Sequence, residues 1–317
     1  MPSRDRVLIT DRPWPNLDIE TEILSTSDIE LIDAPDGSEE TLVRLADGVD
    51  AIATCWARVS DAVLAAAPNC RLVARMGIEL DNIDVASATR RGMLVTNVPD
   101  YCIEEVSDHA VALLLACARN IAYFHRQTKR GEYDLAHAPP MRRLTTQTLG
   151  LFGLGRIGQR TAEKASGLGL RVIAHTASGN DHGTGIPMVR WDELLSDSDY
   201  LSLHAPLTDA TRSIIDGEAL SRMKPTAFLI NTSRGGLVDE RALWESLREN
   251  RLAGAALDVF DPEPPNLSHP LFQDPRVIVT PHAAFVSEEA VAELRSRVAV
   301  QIRTVLAGGI PANLVNR

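Results

Sequence analysis

The sequence predicts an α/β protein of two domains, each built around a parallel β-sheet. Short apolar runs alternate with amphipathic helical patterns along almost the whole chain, which is the rhythm of βαβ units. The 317 residues exceed what one compact core usually organises. Near the middle, residues 149–158 join an apolar run through a glycine-rich turn to a helical pattern, so a second βαβ series begins there.

The first third of the chain contains the first βαβ series. We expect its strands at 7–10, 51–54, 72–75 and 94–97, and its helices at 39–46, 61–66 and 85–91. Pro99 and Asp100 then break the pattern. A long helix is predicted over 104–119, with apolar residues on more than one side, which predicts burial at a domain or subunit interface. Residues 123–146 have poor periodicity, and we expect an extended arm there.

The second series occupies most of the remaining chain. We expect strands at 149–152, 171–175, 200–203, 227–231, 254–258 and 277–280, and helices at 191–196, 216–222 and 240–249. The final helix, over 288–305, begins after Ser287, a favourable N-cap, and ends before Gly308 and Gly309.

Composition excludes several classes of function. A net charge of −11 argues against a nucleic-acid partner, because that affinity depends on Lys and Arg neutralising phosphates. No apolar run approaches the roughly 20 residues that cross a bilayer, and the N-terminus lacks a signal-peptide pattern. The four cysteines lack metal-ligand spacing and are too few for a disulfide framework. We therefore expect a cytoplasmic protein with reduced thiols, no membrane segment and no metal site.

The glycine-rich turn has the spacing G-x-G-x-x-G at Gly153, Gly155 and Gly158. The first glycine permits the tight turn, the second lets the backbone approach a pyrophosphate, and the third lets helix and strand pack closely. The helix that follows offers free N–H groups and the positive end of its dipole to phosphates. A glycine-rich turn can also be only a turn, but the strand before it and the helix after it favour dinucleotide binding on a Rossmann sheet.

Three later stretches place chemically capable side chains just past predicted strands. Arg234 follows one strand, Asp258 and Glu263 follow the next, and His282 follows the strand after that. Ligands of open α/β sheets bind outside the carboxyl ends of the strands, so these side chains are expected in one crevice. Each alone has an ordinary structural explanation, such as a turn carboxylate or a strand-end histidine. Together, an Arg, a Glu and a His are what hydride transfer to a keto acid requires.

From about residue 74 to residue 285, these motifs strongly resemble the D-isomer-specific 2-hydroxyacid dehydrogenase family. Residues 98–102 are similar to its C-terminal binding protein branch. The resemblance implies NAD(P)-dependent hydride transfer between nicotinamide and a 2-keto acid/D-2-hydroxy acid pair. It implies that His282 is the general acid–base, that Glu263 orients the imidazole and favours its charged form, and that Arg234 forks onto substrate oxygens.

The resemblance also implies contacts to cofactor and substrate. The cofactor contacts are Gly153, Gly155, Arg156, Ile157, Gly158, Thr176, His204, Ala205, Pro206, Thr211, Thr232 and Asp258. The substrate contacts are Met76, Gly77, Ile78, Glu79 and Arg234. Asp258 has the alternative explanation that it only ends its strand.

Two positions depart from the family pattern. Thr176 stands where an acid usually binds the adenosine ribose hydroxyls, and no Arg or Lys adjoins it in the sequence, so NAD(H) and NADP(H) both stay open. His175 and Ser178 are candidate assisting groups there. Glu79 stands where relatives usually carry glycine, in a loop expected to bind the substrate carboxylate. Either Glu79 turns to solvent or pairs with an Arg, or the substrate is atypical and offers it a hydroxyl or amine.

The resemblance implies two discontinuous domains and a dimer. Residues 1–98 and 287–317 are expected to form a flavodoxin-like substrate domain, and 99–286 the Rossmann domain. The helix after Pro99 and the arm are expected to pair two subunits into a homodimer. Two other functions stay open. One is a dinucleotide-sensing corepressor without turnover, and the other is a dehydrogenase of an atypical donor, such as a phosphonate-type compound, phosphite or formate.

Overall fold

The computed structural model describes residues 4–25, 27–136 and 139–316. The chain forms two compact units, Met1–Tyr101 with Ser287–Arg317, and Cys102–Val286. The expected domain boundary followed residue 98, and the compact units divide after Tyr101.

The first unit contains a five-stranded parallel sheet. Its elements are β1 (Asp5–Ile9), α1 (Asp18–Leu24), β2 (Ile29–Asp33), α2 (Glu39–Leu45), β3 (Ala51–Thr54), α3 (Asp61–Ala65), β4 (Leu72–Arg75), α4 (Val85–Arg90) and β5 (Leu94–Thr96). The strand order is β2-β1-β3-β4-β5, and every pair is parallel. This is the flavodoxin-like order, in which the crossover direction reverses at β1 and β3.

The second unit contains a six-stranded parallel sheet. Its elements are α5 (Ile103–Ala118), α6 (Ile121–Lys129), β6 (Thr148–Phe152), α7 (Arg156–Gly167), β7 (Arg171–His175), α8 (Trp191–Asp197), β8 (Tyr200–Leu203), α9 (Gly217–Arg222), β9 (Phe228–Asn231), α10 (Glu240–Arg248), β10 (Gly254–Leu257) and β11 (Val277–Val279). Short 3-10 helices occupy Leu144–Thr146, Gly235–Leu237 and Pro270–Gln273.

The strand order of this sheet decides where its site lies. The order is β11-β10-β9-β8-β6-β7, all parallel, so the chain starts in the interior at β6 and adds strands on both sides. Apolar side chains of α5 and α7 cover one face and those of α8, α9 and α10 cover the other. The carboxyl ends of all six strands meet at one edge, where ligands of such sheets bind.

The last helix, α11 (Glu288–Leu306), returns the chain to the first unit. Ser287 caps it, since its side chain accepts a hydrogen bond from the N–H of Ala290 at 2.9 Å. Arg295 of α11 donates two hydrogen bonds to the Glu20 carboxylate of α1, at 2.9 and 2.6 Å. Both side chains are buried, at 8% and 1% exposure, and Arg295 also lies over the ring of Trp14. A bidentate, desolvated ion pair therefore joins the two helices.

The predicted fold class is confirmed: both units are α/β with parallel sheets, one doubly wound and one flavodoxin-like. The predicted arm over 123–146 was wrong in its first part, which belongs to helix α6. None of the residues of α6 is buried. The sequence pattern also did not predict α1 or the edge strand β2, both short elements with mixed polarity.

All four cysteines are buried and free. Burial raises the pKa of Cys55, Cys70 and Cys117 to about 12, which keeps them as thiols. Within the described ranges, no helix is long and apolar enough to cross a membrane.

We predict that Glu20→Gln destabilises the first unit by about 3–5 kcal/mol, because Arg295 would keep a buried charge without its counter-ion. Urea unfolding followed by circular dichroism measures the change. The control is Glu245→Gln, whose partner Arg241 is exposed on the same helix, and we expect it to cost at most about 0.5 kcal/mol. Equal unfolding transitions for the two variants would contradict this assignment.

Candidate active site at the carboxyl edge of the second sheet

The glycine turn after β6 has geometry that side chains would disrupt. Gly153 has φ of +98°, and a Cβ there would lie 2.6 Å from the backbone carbonyl of His204. A Cβ on Gly158 would lie 2.5 Å from the Gly153 oxygen. Glycine is therefore required at both positions, once for backbone conformation and once for the approach of α7 to the turn.

Two observations fit a dinucleotide at this edge. A Cβ placed on Gly155, the N-cap of α7, would meet no atom within 4 Å, so the backbone faces open space where α7 begins. The first N–H groups of a helix have no intrahelical acceptor and suit a pyrophosphate. Further along the edge, the Thr232 hydroxyl is buried without a hydrogen-bond partner among the described residues, as a group that receives a ligand would be. Arg156 and Ile157 form the first turn of α7.

The segment after β8 packs against the glycine turn through the backbone of His204 and Ala205. The Nε2 atom of His204 lies 2.9 Å from the Ser202 hydroxyl, and burial lowers the pKa of His204 to about 4. The imidazole is therefore neutral at physiological pH. Thr211 closes the following loop by donating to the Pro206 oxygen at 2.7 Å, and the Ala205 oxygen accepts from Ser233 at 2.7 Å.

The segment that pairs with the end of β7 leads directly to a cation, Arg190. Ala174 pairs in parallel with Met188, and the His175 Nδ1 atom lies 2.9 Å from the Val189 oxygen. Arg190 lies two residues after Met188, as Thr176 lies two residues after Ala174. Arg190 is exposed, and among the described residues its guanidinium forms no ion pair. The expectation that no Arg or Lys stands near Thr176 stays a prediction, since Arg190, 14 residues downstream, has no contact with Thr176 among the described residues.

Arg234 follows β9 on a segment in close contact with the neighbouring strand end. A Cβ on Gly235 would lie 2.0 Å from the Phe260 carbonyl carbon, so the two backbones touch. Asn231 stabilises the turn by donating to the Arg234 oxygen at 2.8 Å. The guanidinium donates to the Ser233 oxygen at 2.8 Å.

Glu263 and His282 form a hydrogen-bonded pair. The His282 Nδ1 atom lies 2.7 Å from one Glu263 carboxylate oxygen, and the other oxygen accepts the N–H of Phe260 at 2.9 Å. Burial favours the protonated form of Glu263, but the bond and charge of His282, the Phe260 N–H and the Arg234 guanidinium outweigh it and lower the carboxyl pKa. Glu263 therefore remains ionised and orients the imidazole through Nδ1.

Asp258 has contacts of its own within the protein. Its side chain is fully buried, and it accepts the Thr280 hydroxyl at 2.5 Å and the N–H groups of Ala283 and Ala284 at 2.8 and 2.9 Å. These contacts hold the turn that contains His282. Its predicted cofactor contact stays a prediction, and the structure gives this carboxylate a second, structural task.

The predicted substrate loop, residues 76–79, belongs to the first unit. The buried Arg75 side chain donates to the oxygens of Met76 at 2.6 Å and Glu79 at 2.9 Å. Asn97 donates to the Ile78 oxygen at 2.6 Å. The carbonyl groups therefore point inward, and in the described parts of the chain the N–H groups of residues 77–79 have no acceptor. Such N–H groups can bind an anion.

The Glu79 carboxylate forms no ion pair with any described residue. The expected alternative that it pairs with a nearby Arg is wrong, because Arg75 contacts the Glu79 carbonyl oxygen and not its carboxylate. Its exposure is intermediate, so solvation and contact with a substrate group both stay open.

Comparisons with known proteins agree with this architecture. The family model of D-isomer specific 2-hydroxyacid dehydrogenase, NAD binding domain, matches residues 111–284. A glyoxylate reductase from Aeropyrum pernix is 39% identical over 99% of this chain and 96% of its own length. A D-3-phosphoglycerate dehydrogenase from Methanocaldococcus jannaschii is 38% identical over 88% of this chain, but over 53% of its own length. The solved structure of an NADPH-dependent glyoxylate/hydroxypyruvate reductase from Sinorhizobium meliloti, in complex with NADP and malonate, is 30% identical. It has a TM-score of 0.85 and covers 99% of this chain and 97% of that one.

We predict that His204 makes stability depend on pH between about 6.5 and 4. The folded protein holds His204 neutral down to about pH 4, while the unfolded chain takes up the proton near pH 6.5. The stabilisation is therefore complete above pH 6.5 and is lost as the pH falls toward 4. The unfolding temperature of His204→Gln should fall less between pH 7.5 and 5 than that of the wild type.

The matched control for this measurement is His125→Gln, on the exposed helix α6. We expect its pH dependence to equal that of the wild type. A His204→Gln curve parallel to the wild-type curve would show that His204 does not contribute.

Proposed function

Because the chain belongs to the D-isomer-specific 2-hydroxyacid dehydrogenase family, we propose that it reversibly reduces a small 2-keto acid to the D-2-hydroxy acid with NAD(H) or NADP(H). The observation that carries the reaction chemistry is the Glu263–His282 pair on adjacent strand ends, with the Arg234 charge acting on Glu263. A corepressor has no need of turnover, but its site could contain the same groups, so turnover is the decisive measurement.

We propose separate roles in the reaction for His282, Glu263 and Arg234. His282 donates a proton from Nε2 to the carbonyl oxygen during reduction and takes it back during oxidation. Glu263 keeps the imidazole oriented and stabilises its charged form. Arg234 binds the carboxylate and carbonyl oxygens of the substrate through its planar fork of donors. The N–H groups of residues 77–79 in the first unit are proposed to bind a substrate carboxylate.

The cofactor supplies the hydride acceptor or donor when bound. The glycine turn, the start of α7 and the Thr232 hydroxyl are the groups proposed to hold it. The contacts proposed for Ala205, Pro206, Thr211 and Asp258 rest on the family resemblance.

Glyoxylate is the substrate to test first. The glyoxylate reductase relative matches this chain along nearly all of its own length, and the phosphoglycerate dehydrogenase matches along about half. The uncompensated negative charge of Glu79 in the proposed anion-binding loop also disfavours substrates with a second anionic group. We place the enzyme in the cytoplasm, which agrees with its four free cysteines.

We expect purified protein to oxidise NADH or NADPH when glyoxylate, pyruvate or hydroxypyruvate is added. His282→Asn should lower kcat by about 10²–10⁴-fold, because the proton donor is lost, and should leave cofactor binding within a few-fold. Absorbance at 340 nm measures turnover, and fluorescence titration measures binding. The control His125→Asn should retain wild-type turnover. Cofactor binding without turnover of keto acids, formate or phosphite would contradict the enzyme assignment and favour a sensing role.

We also predict that Arg190 attracts the 2′-phosphate of NADP(H), since it lies two residues after Met188, which pairs with Ala174 near the end of β7, and its charge is unpaired among the described residues. Arg190→Ala should weaken binding of 2′,5′-ADP by about 5–30-fold and leave 5′-ADP unchanged, as expected for one lost ion pair of about 1–2 kcal/mol. Calorimetry measures both ligands. The control is Arg222→Ala on α9, whose guanidinium pairs with Glu218 at 2.6 Å. Equal losses for both ligands, or none, would exclude this role.

We propose a homodimer formed through α5, α6 and the arm that follows. Apolar side chains in this region are exposed, namely Ile121 at 56%, Tyr133 at 94%, Leu135 at 76% and Met141 at 39%. Exposed apolar groups clustered along one segment are typical of an association surface.

Accordingly, Tyr133→Asp should shift the protein from dimer toward monomer at micromolar concentration, because it would bury a charge in the interface. Light scattering after size exclusion measures the mass. The control Ile310→Asp changes another exposed apolar residue, 80% accessible, in the other unit, and should leave the mass unchanged. A monomeric wild type would refute the dimer.

A further inference from the structure

A second histidine is linked to the turn that contains His282. His109 lies on α5, with its Nε2 atom 3.0 Å from the Thr280 hydroxyl and 3.6 Å from one Asp258 carboxylate oxygen. Thr280 in turn lies 2.5 Å from the same Asp258 oxygen. The His109 side chain is 24% exposed, and the Asp258 side chain is fully enclosed. A chain of polar contacts therefore runs from α5 into the buried side of the active-site turn.

The donor and the acceptor of each hydrogen bond between His109, Thr280 and Asp258 can be assigned. The Thr280 hydroxyl has one proton, and a carboxylate only accepts, so Thr280 donates to Asp258. The Thr280 oxygen is then left to accept, and His109 must donate to it from a protonated Nε2. His109 thereby fixes the rotation of the hydroxyl, which would otherwise be free to leave Asp258.

Asp258 holds the backbone that positions His282. Its carboxylate accepts the N–H groups of Ala283 and Ala284, and its own carbonyl oxygen accepts the N–H of His282 at 2.8 Å. His282 has φ of +54°, the left-handed region that a residue with a side chain occupies only when its surroundings enforce it. The contacts around Asp258 enforce that conformation, and with it the direction of the imidazole toward Glu263.

We propose that His109 is a positioning residue for His282, acting through Thr280 and Asp258. It contributes no proton to the substrate. Its Nε2–H keeps the Thr280 hydroxyl on Asp258, and Asp258 then holds the turn in the conformation in which Nδ1 of His282 meets Glu263. The inference that this affects turnover rests on the proposed function, while its effect on the geometry of His282 does not.

The test compares two substitutions of His109 that differ in one donor. His109→Gln keeps an N–H donor near the position of Nε2, and His109→Leu removes it. We expect His109→Leu to lower kcat for glyoxylate reduction by 10–100-fold with the cofactor dissociation constant changed less than threefold, and His109→Gln to retain kcat within threefold. Thr280→Val should match His109→Leu, and the double variant should be no worse than either single one, since both remove the same chain of contacts. The control is His125→Leu on α6, expected to behave as the wild type.

A second measurement needs no turnover. Nuclear magnetic resonance of histidine-labelled protein should show the strongly hydrogen-bonded Nδ1 proton shared by His282 and Glu263, assigned by its absence in His282→Asn. This resonance should persist in His109→Gln and be lost or broadened in His109→Leu. A folded His109→Leu protein that keeps both the resonance and kcat would overturn the proposal, as would equal loss in His109→Gln and His109→Leu. Absence of turnover in the wild type would refute the proposed function, and the resonance would still decide the role of His109.

Discussion

The hydrogen bonds of one buried carboxylate determine the form of the active-site turn. Asp258 directly follows β10, but its carboxylate accepts hydrogen bonds from residues that follow β11. The donors are the hydroxyl of Thr280 and the N–H groups of Ala283 and Ala284. Because β10 and β11 are adjacent and parallel, the end of one strand lies within hydrogen-bond distance of the turn after the other. A fully enclosed carboxylate without such donors would carry a large desolvation cost, so the turn and the carboxylate depend on each other.

Close backbone approach is the second constraint on this edge of the sheet. Gly153 lies against the backbone of His204, and Gly235 lies against the backbone of Phe260, at distances that exclude any Cβ. These contacts join the ends of β6 and β8, and of β9 and β10, which are neighbours in the sheet. The glycines therefore do more than permit tight turns. They let strand ends that bear functional groups stand close enough to act on one ligand.

Charge is arranged differently in the two units. In the second unit, the Arg234 and His282 charges keep Glu263 ionised against the effect of burial. In the first unit, the buried Arg75 donates to carbonyl oxygens of the loop 76–79, and within the described chain the N–H groups of residues 77–79 have no acceptor. Each unit therefore offers donors that suit a carboxylate, and the Glu79 side chain adds a negative charge to the loop of the first unit.

The sequence alone determined the two parallel sheets, the glycine turn and the strand-end positions of Arg234, Glu263 and His282, because these depend on local periodicity and on spacing along the chain. Only the tertiary structure decided the rest. Met188 pairs with Ala174 beyond an edge strand, and His109 reaches Thr280 across 171 residues of sequence. Asp258 became a support for His282 because two strands lie side by side. Helix α6, which the sequence pattern did not predict, has no buried residue. Contacts between distant segments leave no periodic trace in a single sequence, so they become visible only when the strands are paired.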